Sequence, residues 1–594
     1  MVVARITSSR KKAFMPESAP GFLIPSTSRW PLLRRSRRLT GTALLAAILV
    51  ACGGSDSDSK GEGGNAGGGT DVEVPVDTLA SFKQQALNWQ ACDASFMEER
   101  YYVAQLGERV QCALMRVPLD YANPSSAELQ IEVLKVSAEQ PAQKLGAIVF
   151  NPGGPGDGSL SMAPRISWDL TFTQSGEAAP LLRDMSRRYD FVAFSPRGTG
   201  RHSPLNCALD EEPLPMVPFI FDDSAENFGN TQHNACAFAE SCVANPLTRH
   251  IHTEATARDM ELLRGLLGEE KLNYAGYSYG SWLGAWYAGL FPERVGRMLF
   301  DGATDVTASF EDHFHADALA EQRIIDELML PYAARNPGRF GLGTDAAALR
   351  SRLLALPAKL KKALIETWRP EEAFALNSNI FAIAAVLGLQ DLMVQNPQAG
   401  LTDLRAGIAA SPAFALPQVA EQARELSTLL FDEEDKQEES DEMAAAYWSI
   451  RCNDTGTRAS MRNYLQSNAL AKDFAVRYPL AATNFAYNPC HYWSGPERKM
   501  PAVAEASKAG PLLMLQSRYD ASTPVEGAMR TWAALPNARM IVVENDYRHG
   551  VFPYGAACVD KQVANYFLYG QLPERTSSCP GRMQGAYEYD EGDA

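Results

Sequence analysis

The strongest constraint on the fold is a succession of short, continuous apolar runs separated by helical stretches. Residues 129–136, 147–150, 189–194, 272–275, 298–300, 512–515 and 540–543 read as strands bounded by Gly, Pro, Asn or Asp, most of them as such continuous runs. Unbroken apolar runs of this length read as parallel strands buried on both faces. Their alternation with helices predicts an α/β fold with a mostly parallel sheet flanked by helices. The alternation breaks between the runs at 298–300 and 512–515, where residues 305–505 carry an Ala/Leu/Glu periodicity interrupted by Pro. This stretch reads as a large inserted helical lid. An insertion of that size is rarely a structureless loop, and segments over strand ends cover the place where open α/β sheets bind ligands.

The N-terminus has the layout of an export signal. Arg34-Arg35-Ser36-Arg37-Arg38 precedes an apolar run at residues 42–51 and then Cys52. A bilayer span needs about 20 apolar residues, twice what is present, so the run reads as a signal peptide and not as an anchor helix. Leu49-Val50-Ala51-Cys52 resembles the lipobox of bacterial lipoproteins, which makes Cys52 the expected lipid attachment point and mature N-terminus. A buried acyl chain contributes about 0.8 kcal/mol per CH₂, so multiple acylation holds a protein on a membrane. The Gly/Ser/Asp-rich tract that follows reads as a flexible tether. Met15 is an alternative start, and the export route stays open. The expected division is therefore signal peptide 1–51, tether 52–75, α/β core 76–304, lid 305–505 and the rest of the core 506–594.

Charge and cysteine usage narrow the function classes. Residues 1–51 hold nine Lys/Arg against one Glu, so the net charge goes from −16 to −24 without them. No basic run lies beyond the signal, which disfavours nucleic acid as a partner. Nine cysteines follow Cys52, none with paired C-x-x-C spacing. In an oxidising compartment disulfides are the expected use. Sequence neighbours suggest Cys92 with Cys112, Cys452 with Cys490 and Cys558 with Cys579; Cys207 takes Cys236 or Cys242 and leaves one thiol over.

The chemistry concentrates in three places. Gly276-Tyr277-Ser278-Tyr279-Gly280 follows a strand and precedes a helix, the setting of a nucleophile elbow in the α/β-hydrolase fold. Asn151-Pro152-Gly153-Gly154-Pro155-Gly156 follows the run at 147–150, where that fold places an oxyanion loop. No Gly-Lys-Ser/Thr completes a phosphate loop there. Gly153 or Gly154, with the amide of Tyr279, is the expected oxyanion hole. The order Ser, then acid, then His selects His549, four of the eight histidines preceding Ser278. Asp520, just past the run at 512–515, is the expected acid. Glu544 and Asp546 are rivals, but they share the His549 loop.

Two weaker signals carry less. His313 and His315, two apart on a helix, do not share a face and read as a solvated helix end. The acidic run Asp432-Glu433-Glu434-Asp435 reads as a solvated loop. Neither a metal nor an organic cofactor is implied.

With these motifs assembled, the chain resembles the tripeptidyl aminopeptidase family of secreted α/β-hydrolases, relatives of proline iminopeptidases, from about Trp89 to Pro580. The resemblance rests on Asn151 to Gly156, Ser195-Pro196-Arg197-Gly198-Thr199-Gly200, Gly276 to Gly280, Asp301-Gly302, Cys452-Asn453-Asp454 and the Asp520/His549 region. The family usually has Asp where this chain has Ser195. The resemblance implies hydrolysis of short peptides from a free N-terminus, with a lid excluding long chains and an acidic group receiving the terminal ammonium. Asp454 is the candidate for that group. A carboxylesterase or lipase uses the same apparatus, and a non-catalytic binding lipoprotein is the third reading.

Overall fold

The computed structural model describes residues 78–93, 100–172, 176–209, 211–368, 375–431, 441–455, 461–481 and 486–581. The signal segment, Cys52, the tether and the acidic run beginning at Asp432 lie outside the described residues.

All the apolar runs become strands of one ten-stranded sheet. In chain order the strands are β1 (Gln90–Ala91), β2 (Val110–Pro118), β3 (Glu128–Val136), β4 (Gly146–Asn151), β5 (Tyr189–Phe194), β6 (Leu272–Tyr277), β7 (Val295–Asp301), β8 (Leu512–Ser517), β9 (Ala538–Glu544) and β10 (Thr576–Pro580). Their spatial order is β1-β2-β3-β5-β4-β6-β7-β8-β9-β10. The pairings β1/β2, β2/β3 and β3/β5 are antiparallel; those from β5 through β10 are parallel. Tyr277 of β6 stands beside Asp301 of β7, and Asp301 beside Leu515 of β8. The carboxyl ends of these three strands therefore share one edge, where this class of sheet places its chemistry.

Side-chain alternation explains why the central strands are apolar on both faces over most of their length. Val149, Val192, Tyr274, Phe300 and Met514 pack on one face with Trp282 and Trp286. Ile148, Phe191, Ala275, Leu299 and Leu513 pack on the other with Phe552 and Phe567. A strand whose successive side chains both meet helices has no polar face to show.

Between β7 and β8 every described element is helical, from Phe310–Arg323 to Val503–Ala506. The greater part of this insertion has its own core, including Ile324, Leu353, Leu364, Ile383, Leu387, Val419 and Leu426. The helix Ala375–Gln395 is apolar enough over Asn377–Gln395 to cross a membrane by length and composition. Its Ile380, Ile383, Val386 and Leu389 are instead fully buried in the insertion's core. The end of the insertion packs differently. Ala445, Trp448, Cys452, Cys490 and Trp493 join the core of the α/β body, and Cys452–Cys490 ties the helix Asp441–Thr455 to the turn Pro489–Tyr492.

Further disulfides join Cys92 to Cys112, Cys207 to Cys242 and Cys558 to Cys579. Cys236 is not the spare thiol expected: no free cysteine remains among the described residues. Bonds of this kind persist in exported proteins and are rare in reducing cytosol.

Candidate active site

Ser278 occupies the single residue between β6 and the helix Tyr279–Leu290, with φ 55° and ψ −126°. A non-glycine residue in this region costs of order 1–3 kcal/mol and persists only where its surroundings force it. The surroundings are visible here. A Cβ on Gly276 would meet the Gly280 carbonyl oxygen at 2.4 Å, and one on Gly280 would meet the Asn151 oxygen at 2.7 Å. Small residues on both sides let the chain turn that sharply. The Ser278 amide donates to the Asp301 carbonyl at 2.9 Å, and Ser281 Oγ donates to the Ser278 carbonyl at 2.6 Å. The serine thus sits at a helix N-terminus, where the dipole favours developing negative charge.

The loop after β4 lies directly against this turn. A Cβ on Gly153, whose φ is +114°, would stand 2.7 Å from the Tyr277 oxygen, 2.8 Å from Ser278 Cβ and 3.3 Å from the Tyr279 nitrogen. Gly153 donates its own amide to Asn151 Oδ1 at 3.1 Å. Gly154 has φ +96°. Gly156 packs against the insertion, a Cβ there meeting Tyr447 N at 2.8 Å and Ala446 Cβ at 3.0 Å. The insertion's end therefore backs the loop.

Asp520 and His549 meet across β8 and β9. His549 Nδ1 lies 3.0 and 2.9 Å from the two carboxylate oxygens of Asp520, and both residues are buried. The carboxylate also accepts the amides of Ser522 and Thr523 at 3.0 and 2.8 Å and the Thr523 hydroxyl at 3.0 Å. The rival acids are engaged elsewhere. Glu544 forms a two-point ion pair with Arg518 at 2.9 and 2.6 Å, and Asp546 accepts the Arg548 amide and the Tyr554 hydroxyl. Gly302 bridges the two halves: a Cβ there would lie 3.2 Å from His549 Cε1 and 3.3 Å from Asp520 Oδ2. On the other side a Cβ on Gly550 would touch the Tyr277 ring at 3.3 Å.

Asp454 is engaged by the packing behind the serine helix. It is fully buried, and its carboxylate accepts the Thr253 amide at 3.0 Å, the Thr253 hydroxyl at 2.5 Å and Trp282 Nε1 at 3.2 Å. Burial pushes its carboxyl up to about 7. With its lone pairs given to the packing behind the serine helix, it is not placed to receive a substrate ammonium. His313 is likewise not a solvated helix end. Its ring packs edge-on against Trp282 and Phe310, Nε2 meets the Asp305 carbonyl at 3.0 Å, and burial lowers it to about 4.

The structure draws attention to an acid that no motif marks. Asp317, on the helix Phe310–Arg323 that opens the insertion, is partly buried, and its Oδ1 is shielded from solvent with no hydrogen-bond partner among the described residues. Burial pushes its carboxyl well up; Arg451 opposes the shift, and the charges of Glu321 and Asp520 add to it. Asp317 thus lies within electrostatic reach of the Asp520–His549 pair. Arg451 gives one guanidinium N–H to the Phe310 carbonyl at 2.9 Å and spreads over the rings of Phe310 and Tyr447. No group of three or more His, Cys, Asp or Glu able to hold a metal occurs among the described residues.

Comparison with known proteins agrees with this architecture. Residues 478–579, which include both Asp520 and His549, match the family model of TAP-like proteins. The tripeptidyl aminopeptidase of Streptomyces lividans is 26% identical over 568 residues, covering 92% of this chain and 98% of that one. The serine protease Hip1 of Mycobacterium tuberculosis is 24% identical over 510 residues, 83% of this chain and 91% of its own. A carboxylesterase B of the same species is 27% identical over 505 residues, with 83% and 89% covered. With the α/β sheet and these matches along nearly its whole length, the chain is a serine hydrolase similar to tripeptidyl aminopeptidases of the α/β-hydrolase fold.

Proposed function

We propose that the protein is a serine exopeptidase that cleaves short peptides near their free N-terminus, as a tripeptidyl aminopeptidase does. The observation that carries this reading is the buried Asp520–His549 pair on the strand edge where Ser278 is held in its strained turn. Asp520 fixes the imidazole with its proton on Nδ1, which leaves Nε2 to take the Ser278 proton as the hydroxyl attacks the scissile carbonyl. The Tyr279 amide and a glycine amide of the loop after β4 receive the oxyanion. Because Gly153 gives its amide to Asn151, the loop's donor in this reading is Gly154. His549 then protonates the leaving amine, and water, deprotonated by the same imidazole, releases the acyl-enzyme.

Asp317 supplies the acidic group for the substrate's terminal ammonium. Burial and the charges of Glu321 and Asp520 bear on this carboxylate against Arg451, and an incoming ammonium adds to the compensating charge. The helical insertion limits entry to short chains. The export-signal layout of the N-terminus and the disulfides support an exported protein of the bacterial envelope. A carboxylesterase is the second reading, favoured by the 27% identical relative of that name.

A fluorophosphonate probe tests the core of this proposal. It is expected to label the protein once, with the adduct mapping by mass spectrometry to Ser278 and absent from Ser278→Ala. Labelling at another serine, or undiminished labelling of the variant, contradicts it.

A further inference from the structure

Asp301 closes β7 and touches both moving parts of the proposed reaction. Its backbone carbonyl accepts the Ser278 amide at 2.9 Å. Its carboxylate accepts the Val551 amide at 2.8 and 2.9 Å and the Phe552 amide at 2.6 Å. These amides lie just beyond His549 in the loop that carries the imidazole. The Tyr277 hydroxyl reaches the same loop from β6, donating to the Phe552 carbonyl at 2.8 Å. Asp520 holds the ring of His549, while Asp301 and Tyr277 hold the backbone behind it.

This arrangement costs more than packing requires. Asp301 has no exposed surface, and burial outweighs its amide partners enough to push the carboxyl up to about 7. An apolar side chain in its place would fill the volume but leave the Val551 and Phe552 amides unpaired. What the carboxylate adds is a fixed direction for two N–H groups at once, because charge-assisted hydrogen bonds are short and directional.

We propose that Asp301 is a positioning residue for hydrolysis: its backbone holds the nucleophile's turn, its carboxylate holds the His549 loop, and this one residue sets the spacing between serine and imidazole. The proposal rests on the reading of Ser278 and His549 as nucleophile and base. Asp301 touches no substrate atom; it acts through geometry, where a displacement of about 1 Å lowers a rate on the order of 100-fold.

The test uses the full chain, a chromogenic tripeptide amide with a free N-terminus, and fluorophosphonate titration to count competent sites. In Asp301→Asn, kcat per titrated site is expected to fall about 10- to 100-fold with KM within about twofold, as for a misplaced base. The rate of labelling is expected to fall in parallel. In Tyr277→Phe, which loosens the same loop without removing a charge, kcat per site is expected to fall about two- to fivefold, the scale of one net hydrogen bond. Fewer competent sites with normal turnover per site mean that Asp301 only supports folding, and overturn the proposal. If Asp301→Asn yields no folded protein, Tyr277→Phe decides, and unchanged kcat overturns it. Wild-type activity that survives in Ser278→Ala removes the underlying reading as well; Ser278-dependent activity indifferent to Asp301 removes this inference alone.

Discussion

A methyl group on Gly153 would stand 2.8 Å from the Cβ of Ser278 and 2.7 Å from the Tyr277 carbonyl oxygen, on a backbone whose φ is +114°. The loop after β4 therefore rests on the Ser278 turn with no space for a side chain. Gly153→Ala is expected to force the loop outward and take the oxyanion donor with it. A lost donor of this kind lowers kcat about 10²- to 10³-fold. Steady-state kinetics on a tripeptide amide check this, and a variant within about threefold of wild type would show that this loop does not serve the oxyanion.

Asp520 is expected to matter through the tautomer of His549. Asp520→Asn keeps the shape but offers an NH₂ where the imidazole needs an acceptor, so kcat is expected to fall about 10⁴-fold with little change in KM. Measured kcat within tenfold of wild type would transfer the acid's role elsewhere. Glu544 and Asp546, held by Arg518 and by Tyr554, are not expected to compensate.

Much of this arrangement was legible in the sequence, for reasons that differ between elements. Buried parallel strands such as β4, β5 and β8 must be apolar on both faces, so their runs stand out. β2 has alternating burial along Val110–Pro118, and β10 is the edge segment Thr576–Pro580 with mostly polar residues; neither forms a continuous apolar run. Ser278, Asp520 and His549 follow from a local motif and a chain order. Asp317 has no such mark, because its approach to Asp520 is set by tertiary packing of the helix Phe310–Arg323. Asp454, within a family motif, belongs to the packing behind Trp282. Cys236 and Cys242 lie on one helix, Ala225–Ala244, about 9 Å apart along its axis, and only the three-dimensional fold selects Cys242 for Cys207.

Asp317→Asn separates recognition of the ammonium from chemistry. With the carboxylate gone, kcat/KM for free-amine tripeptides is expected to fall on the order of 30-fold, as when one partner of a buried charge pair is removed. Acetylated peptides and simple esters, which carry no ammonium, are expected to change less than about threefold. Equal losses for all substrates would place the ammonium elsewhere.

The Asp454 carboxyl, pushed up to about 7 by burial, gives a pH dependence with a definite sign. Its unfolded value is about 3.9, so the folded chain holds an extra proton there between those values. Stability from this group is full at low pH and is lost as pH rises through about 7. The wild-type melting temperature minus that of Asp454→Asn is therefore expected to shrink between pH 5 and pH 8, as thermal denaturation at several pH values will show. A difference that is flat or grows with pH would contradict this assignment.

The most direct test of the central claim compares hydrolysis of one chromogenic tripeptide amide with a free and with an acetylated N-terminus, alongside a short-chain nitrophenyl ester, in wild type and Ser278→Ala. The account predicts turnover of the free-amine peptide, much weaker turnover of its acetylated form, and loss of both in Ser278→Ala. Ester turnover without peptide turnover would make the protein an esterase, and peptide turnover that survives in Ser278→Ala would contradict the account.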